Sequence, residues 1–244
     1  MAERRDAGQG MDLSHILFHL GEERARYDHA VAPPIVQSSN FAMPTVAAMR
    51  AAMADEFDAH LYTRGNNPTV EILRRKLAAL EGAEEALVFA SGAAAIAAGV
   101  LASVRAGDHV LCVAKPYSWT RALVRDFLPR FGVDFDLVDA REVATVESAL
   151  RHETRLIVLE SPNSLTFEQQ DLAAIAALAR PRGIRTLADN SFATPLGQSP
   201  LAHGIDMVVH SGTKYLAGHS DVMIGTLCAS RAICSEVFFG PYMT

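Results

Sequence analysis

The sequence predicts an α/β domain with a mostly parallel sheet and helices on both faces, preceded by an N-terminal arm. Three observations predict it. Short apolar runs of strand length alternate with helix-length segments from about Ala86 onward. Half of the 244 residues are apolar, enough for one substantial core. Ser91, Tyr117, Asp189 and Lys214, which have chemistry to offer, each fall at or just after the end of an apolar run, where open α/β sheets bind their ligands.

Composition narrows the class. A net charge of −6 without any basic block argues against nucleic acid as a partner. Cys112, Cys228 and Cys234 sit in apolar surroundings without metal-ligand spacing. They read as reduced, buried thiols of a cytoplasmic protein, and no metal is expected. Met1 to Gly10 is charged and has no apolar core, so no signal peptide is expected. Ala86 to Val104 carries no charge and approaches the length of a membrane span. Ser91-Gly92 interrupts it, so it reads as a buried strand followed by a buried helix, and no membrane partner is expected.

The elements follow in order. Met1 to about Ala30 reads as a polar arm with a short amphipathic piece near Leu13 to Leu20. Pro33-Pro34 excludes helix. Pro44 to Phe57 reads as a helix. Tyr62 to Thr69 is a loop of turn-forming residues, with Thr69 placed to cap a helix over Val70 to Leu80. Ala86 to Phe89 is a strand, and Ser91-Gly92-Ala93 opens a helix whose free amides suit an anion, so these three are assigned to a phosphate. His109 to Val113 is a strand that feeds Tyr117.

Thr120 to Phe131 reads as a helix, Phe135 to Val138 as a strand and Val143 to Leu150 as a helix. Arg155 to Glu160 is a strand ending in Glu160-Ser161-Pro162-Asn163-Ser164-Leu165-Thr166. Leu172, Ile175 and Leu178 share a face of a helix over Asp171 to Arg180, with Asp171 as its cap. Arg185 to Ala188 is the strand feeding Asp189. Met207 to Val209 is the strand feeding Ser211 and Lys214, and Met223 to Cys228 is a last strand. His219, in the turn between, reads either as a proton shuttle or as a structural turn residue.

Asp189 and Lys214 carry the chemistry. An amine flanked by the hydroxyls of Ser211 and Thr213, together with an acid at a neighbouring strand end, is what pyridoxal 5'-phosphate (PLP) requires. The amine forms an imine with the aldehyde, the acid keeps the ring nitrogen protonated, and small hydroxyls hold the phosphate. A nucleophile-elbow reading of Gly218-His219-Ser220-Asp221-Val222 fails, because the closing glycine is missing.

Asp189-Asn190-Ser191-Phe192-Ala193-Thr194-Pro195, His210-Ser211-Gly212-Thr213-Lys214-Tyr215 and Gly218-His219-Ser220-Asp221-Val222-Met223 resemble motifs of the Cys/Met-metabolism PLP enzymes. These are the transsulfuration enzymes, and the resemblance runs from about Pro33 to the last residue. It implies a fold-type I PLP-dependent transferase large domain and a lyase or transferase acting by β- or γ-elimination or replacement. The implied substrates are amino acids, either cystathionine-like or O-acyl-homoserine.

The resemblance also implies site roles. Tyr117 stacks on the cofactor and takes part in proton movement. Tyr62 and Arg64 reach the phosphate of the neighbouring subunit in a homodimer or homotetramer. Ser164 matches a β-lyase-like subset at the position near the cofactor, and either Asn163 or Ser164 makes that contact. The motifs divide between β-lyase and γ-enzyme forms. Residues 1–60 are expected as an arm and helix touching the partner, and 61–244 as the PLP-binding domain. The family's C-terminal domain is absent from the sequence, which suggests a fragment whose own activity is open, the alternative being a non-catalytic remnant.

Overall fold

The computed structural model describes residues 11–243. The reading of Met1 to Gly10, and with it the start of the arm, lies outside the described residues. Nine α-helical segments and seven strands are assigned among the described residues.

The arm holds to the domain through one helix. α1 (Leu13–Phe18) buries Ile16, and the Lys76 ammonium donates to the Leu17 carbonyl and to Glu22. Further on, the arm runs extended and joins the start of α3 (Pro68–Glu81). Here the structure corrects the cap. Asn67, one residue before the helix, accepts the Thr69 amide at 2.9 Å and is the N-cap. The Thr69 hydroxyl instead accepts the Val36 amide and donates to the Pro34 carbonyl, stitching the arm to the helix. α2 is shorter than the sequence suggested: it spans Val46–Ala54, capped by the Thr45 hydroxyl. The chain turns after it so that Phe57 can bury itself beneath the guanidinium groups of Arg74 and Arg231.

The sheet contains β1 (Glu85–Phe89), β2 (His109–Val113), β3 (Asp134–Val138), β4 (Thr154–Glu160), β5 (Arg185–Asp189), β6 (Met207–His210) and β7 (Gly225–Ala229). Their spatial order is β1-β7-β6-β5-β4-β2-β3. The block from β6 to β3 is parallel. β7 is antiparallel to both β6 and β1. Two reversals cancel, so β1 runs in the same direction as the parallel block and Ser91 emerges at the same edge as Tyr117, Asp189 and Ser211.

Period-two alternation sends successive side chains to opposite faces. Val110, Cys112, Leu156, Val158 and Leu187 pack beneath α4 (Gly92–Leu101) and Val124 and Leu128. Leu111, Val113, Ile157, Leu159 and Ala188 pack on the opposite face against α6 (Val143–Ala149) and α7 (Leu172–Ala179). Both faces are therefore covered, as a parallel sheet needs. Asp171 caps α7 by accepting the Ala174 amide.

Two further elements differ from the sequence reading. The helix expected over Thr120 to Phe131 is α5 (Ser118–Ala122), which widens into a π turn over Leu123–Phe127 and tightens into a 3₁₀ turn over Leu128–Phe131. Pro129 has no N–H to continue the ladder. β7 begins at Gly225, not Met223, because the Ile224 amide and carbonyl are both taken by Thr213. α8 (Thr194–Gly197) and α9 (Arg231–Val237) complete the order. Cys112, Cys228 and Cys234 are free and buried. Desolvation pushes the Cys234 thiol up to about 12, and no helix among the described residues is long and apolar enough to cross a membrane.

Candidate active site

Five strand ends meet at one edge of the sheet. Asp189 ends β5, and the turn after it is tied by the Asp189 side chain, whose Oδ1 accepts the Ser191 amide at 2.9 Å and the Ser191 hydroxyl at 2.5 Å. The Ser191 hydroxyl in turn accepts the Ser211 amide at 2.6 Å. Lys214 Nζ donates to Ser211 Oγ at 3.4 Å and lies 5.1 Å from the centre of the Tyr117 ring. One hydrogen-bonded chain thus runs from Asp189 through Ser191 and Ser211 to Lys214, with an aromatic face beside the amine.

The helix start predicted for an anion lies against this chain. Ser91 caps α4 by accepting the Ala94 amide at 3.1 Å. That leaves the amides of Gly92 and Ala93 as the first helical donors, which have no acceptor inside the helix. A Cβ on Gly92 would stand 2.7 Å from both Cα and Cβ of Ser211. A Cβ on Gly225 would stand 2.0 Å from the Ser91 carbonyl oxygen. Both glycines are therefore required for the Ser91 turn to approach Ser211 this closely. Hydroxyls, helix amides, an amine, a carboxylate and a ring face are the donor set a phosphorylated pyridine aldehyde needs, so the residues present fit PLP.

The loops are held from behind. Glu160 is 5 % exposed and accepts the Tyr117 amide and the Ser164 amide, each at 2.6 Å. Burial raises its pKa, against the lowering effect of those hydrogen bonds. Deeper, Glu81 at the end of α3 meets His210, and Asn190 donates to the same carboxylate oxygen. Asn190 follows Asp189 and His210 precedes Ser211, so this buried network fixes both turns.

Other predicted residues are placed differently. The Thr213 hydroxyl donates to the Ile224 carbonyl and accepts its amide, bracing the Lys214 turn against the following segment. Asn163 is buried and spent on backbone groups of its own loop and of the loop after β2. Its side chain donates to the Lys115 carbonyl and accepts the amides of Leu165 and Thr166, while Ser164 is exposed. Tyr62 and Arg64 are exposed together on the loop before α3, with the guanidinium carbon 5.1 Å over the tyrosine ring. They make no hydrogen bond to the Lys214 cluster among the described residues.

Sequence reasoning missed Ser191 and Glu160 as site residues. A signal existed for each: Asp-x-Ser is the pattern of an Asx turn, and Glu160, like Asp189, is an acid closing an apolar strand.

Against this geometry the chain was compared with known proteins. The model of the Cys/Met metabolism PLP-dependent enzyme family matches residues 14–242. The chain belongs to that family. It is 37 % identical over 219 residues to an L-methionine gamma-lyase from Pseudomonas putida, covering 90 % of this chain and 55 % of the relative. It is 39 % identical over 230 residues to a cystathionine beta-lyase from Staphylococcus haemolyticus, covering 94 % and 56 %. The crystal structure of MetB from Corynebacterium glutamicum superposes with a TM-score of 0.88 at 32 % identity, covering 95 % of this chain and 59 % of that one. The chain thus spans little more than half the length of these family members. The family is one of PLP-dependent enzymes, and the chain carries the fold-type I sheet.

Proposed function

We propose that this chain is the cofactor-binding part of a PLP-dependent enzyme of sulfur amino-acid metabolism. Its reaction is a β- or γ-elimination or replacement on cystathionine-like or O-acyl-homoserine substrates. The observation that carries the reading is the hydrogen-bonded run from Asp189 through Ser191 and Ser211 to Lys214, beside the Tyr117 ring.

When bound, PLP supplies an aldehyde for amines and an electron-withdrawing ring that acidifies the substrate's α-carbon. Lys214 is the amine that would hold the aldehyde, and its Nζ takes and returns the proton at that carbon. Asp189 would face the ring nitrogen and keep a proton there. Tyr117 would cover one ring face and exclude water from it. Ser91, Gly92, Ala93, Ser211 and Thr213 would bind the phosphate, Thr213 also bracing the turn that carries Lys214. Ser164, exposed where Asn163 is buried, would be the one of the two to reach the cofactor.

In this reading residues 61–244 form the PLP-binding domain and residues 1–60 an arm against a second subunit. The exposed Tyr62–Arg64 pair serves the neighbour's phosphate in a homodimer or homotetramer in the cytoplasm. An arginine fork and a phenol suit that anion.

Purified full-length protein tests the proposal. The visible band of a lysine-held cofactor is expected, bleached by borohydride and lost in Lys214→Ala. Incubation with cystathionine is expected to release pyruvate from β-elimination or 2-oxobutyrate from γ-elimination. Neither product would point to a synthase using an O-acyl-homoserine and a thiol. A full-length protein without the band would leave a non-catalytic remnant of the family.

A further inference from the structure

Glu160 closes β4 with its two carboxylate oxygens shared between two loops. Oε2 accepts the amide of Tyr117, on the loop leaving β2, and Oε1 accepts the amide of Ser164, on the loop leaving β4. On its other flank Glu160 stands in register with Asp189 on β5. The two amide protons reach different oxygens of the carboxylate. A carboxylate offers both, whereas a glutamine would offer one and turn a donor against the second amide.

The cost of keeping a charge here is visible. Burial raises the pKa of Glu160, the hydrogen bonds from Ser164 and Tyr117 oppose that, and the Asp189 charge adds to the rise.

What Glu160 holds is the Tyr117 backbone. The Tyr117 amide goes to Glu160 at 2.6 Å, and its carbonyl accepts the Arg121 amide in the first turn of α5. The side chain makes no capping bond of its own. The ring's position 5.1 Å from Lys214 Nζ is therefore set by a backbone pinned on both sides.

We infer that Glu160 is the positioning residue that seats the Tyr117 ring beside Lys214 and so sets how tightly PLP is held. This rests on the PLP reading above. It adds a member to the site that touches neither cofactor nor substrate and acts through Tyr117.

The test is a double-mutant cycle in the full-length protein. Apo wild type, Glu160→Gln, Tyr117→Ala and the double variant are titrated with PLP, and the pH midpoint of the bound cofactor's visible band is recorded for each. Glu160→Gln is expected to weaken PLP binding roughly tenfold, the scale of one lost hydrogen bond to a charged group, and to move the band's pH midpoint. In the Tyr117→Ala background the same change is expected to alter affinity less than about twofold and to leave the midpoint in place, as coupling through Tyr117 requires.

An unchanged affinity in Glu160→Gln would overturn the inference. So would an equal loss in both backgrounds, which would leave Glu160 as a structural clamp. Far-UV circular dichroism checks folding. Should Glu160→Gln not fold, Glu160→Asp keeps the charge but withdraws the oxygens by one methylene, and it is read through the same cycle by the same criteria. A wild-type protein that takes up no PLP would overturn the functional reading itself, and this inference with it.

Discussion

His210 Nε2 lies 2.5 Å from Glu81 Oε1, and both side chains are 1 % exposed. Asn190 Nδ2 donates to the same oxygen at 3.1 Å. Glu81 Oε2 and His210 Nδ1 are buried without a hydrogen-bond partner among the described residues. Removing one member strands the other. His210→Leu leaves Glu81 Oε1 with Asn190 as its one side-chain donor and is expected to cost about 1–3 kcal/mol, the scale of a buried polar group stranded without its partner, read as a lower denaturant midpoint. The double variant Glu81→Leu/His210→Leu is expected to lose less than His210→Leu alone, because no buried acceptor is left behind without its partner.

Ser191 has no place in the proposed chemistry, yet it joins the two turns that do. Ser191→Ala removes its hydrogen bond to Asp189 and leaves the Ser211 amide without its acceptor. PLP affinity is expected to fall by roughly tenfold or more, the scale of a hydrogen bond to a charged group. Titration of the apo protein measures it, and circular dichroism is expected to be unchanged.

Glu71 is one of several carboxyls outside the site that make the fold acid-sensitive. The Glu71 carboxyl is held below its ordinary value of 4.5, chiefly by the hydrogen bond from His60 and then by the Arg75 charge. The unfolded chain then takes up a proton before the folded one as pH falls. The Glu71 contribution is therefore present above about 4.5 and lost below it. Glu71→Gln is expected to lower stability at neutral pH and to flatten the decline below that value, as denaturation at a series of pH values would reveal.

If Tyr62 and Arg64 serve the neighbour's phosphate, a site can be assembled from two defective chains. Arg64→Ala and Lys214→Ala full-length proteins are each expected to be inactive or nearly so. Refolding them together is expected to return up to about a quarter of the wild-type sites, the share set by random pairing of shared sites. No recovery would mean that each chain completes its own site.

Much of this architecture was legible from the residues. His109 to Val113 came out as read because a run of strand length, mostly apolar and entered from the Gly107-Asp108 turn, suits a strand covered on both faces. Asp171 was legible as a cap because an acid immediately before an apolar, helix-periodic run has amides to accept. The placement of Asp189 and Lys214 after neighbouring strands was legible because each follows a short apolar run of strand length.

The remainder depended on contacts distant in sequence. Asn67 and Thr69 are both good caps, and the choice was made by the arm's Val36 and Pro34, which claim the Thr69 hydroxyl. The loss of regular helix after α5 follows from Pro129, whose effect on the preceding turn is local but whose outcome, π or break, is set by packing of Val124 and Leu128. The reversed strand β7 carries no sign of its direction, since apolar alternation reads the same both ways.

That reversed strand has a temporal consequence. β1 emerges early from the ribosome, yet its hydrogen-bonding neighbour is the seventh strand, made more than half the chain later. The Ser91 turn likewise gains its backing only when Gly225 arrives beneath it. Until then the early segment is a bare edge with an unformed anion seat. Capture of a vitamin-derived ligand would therefore report that the whole sheet has closed, making uptake a late checkpoint on the newborn chain.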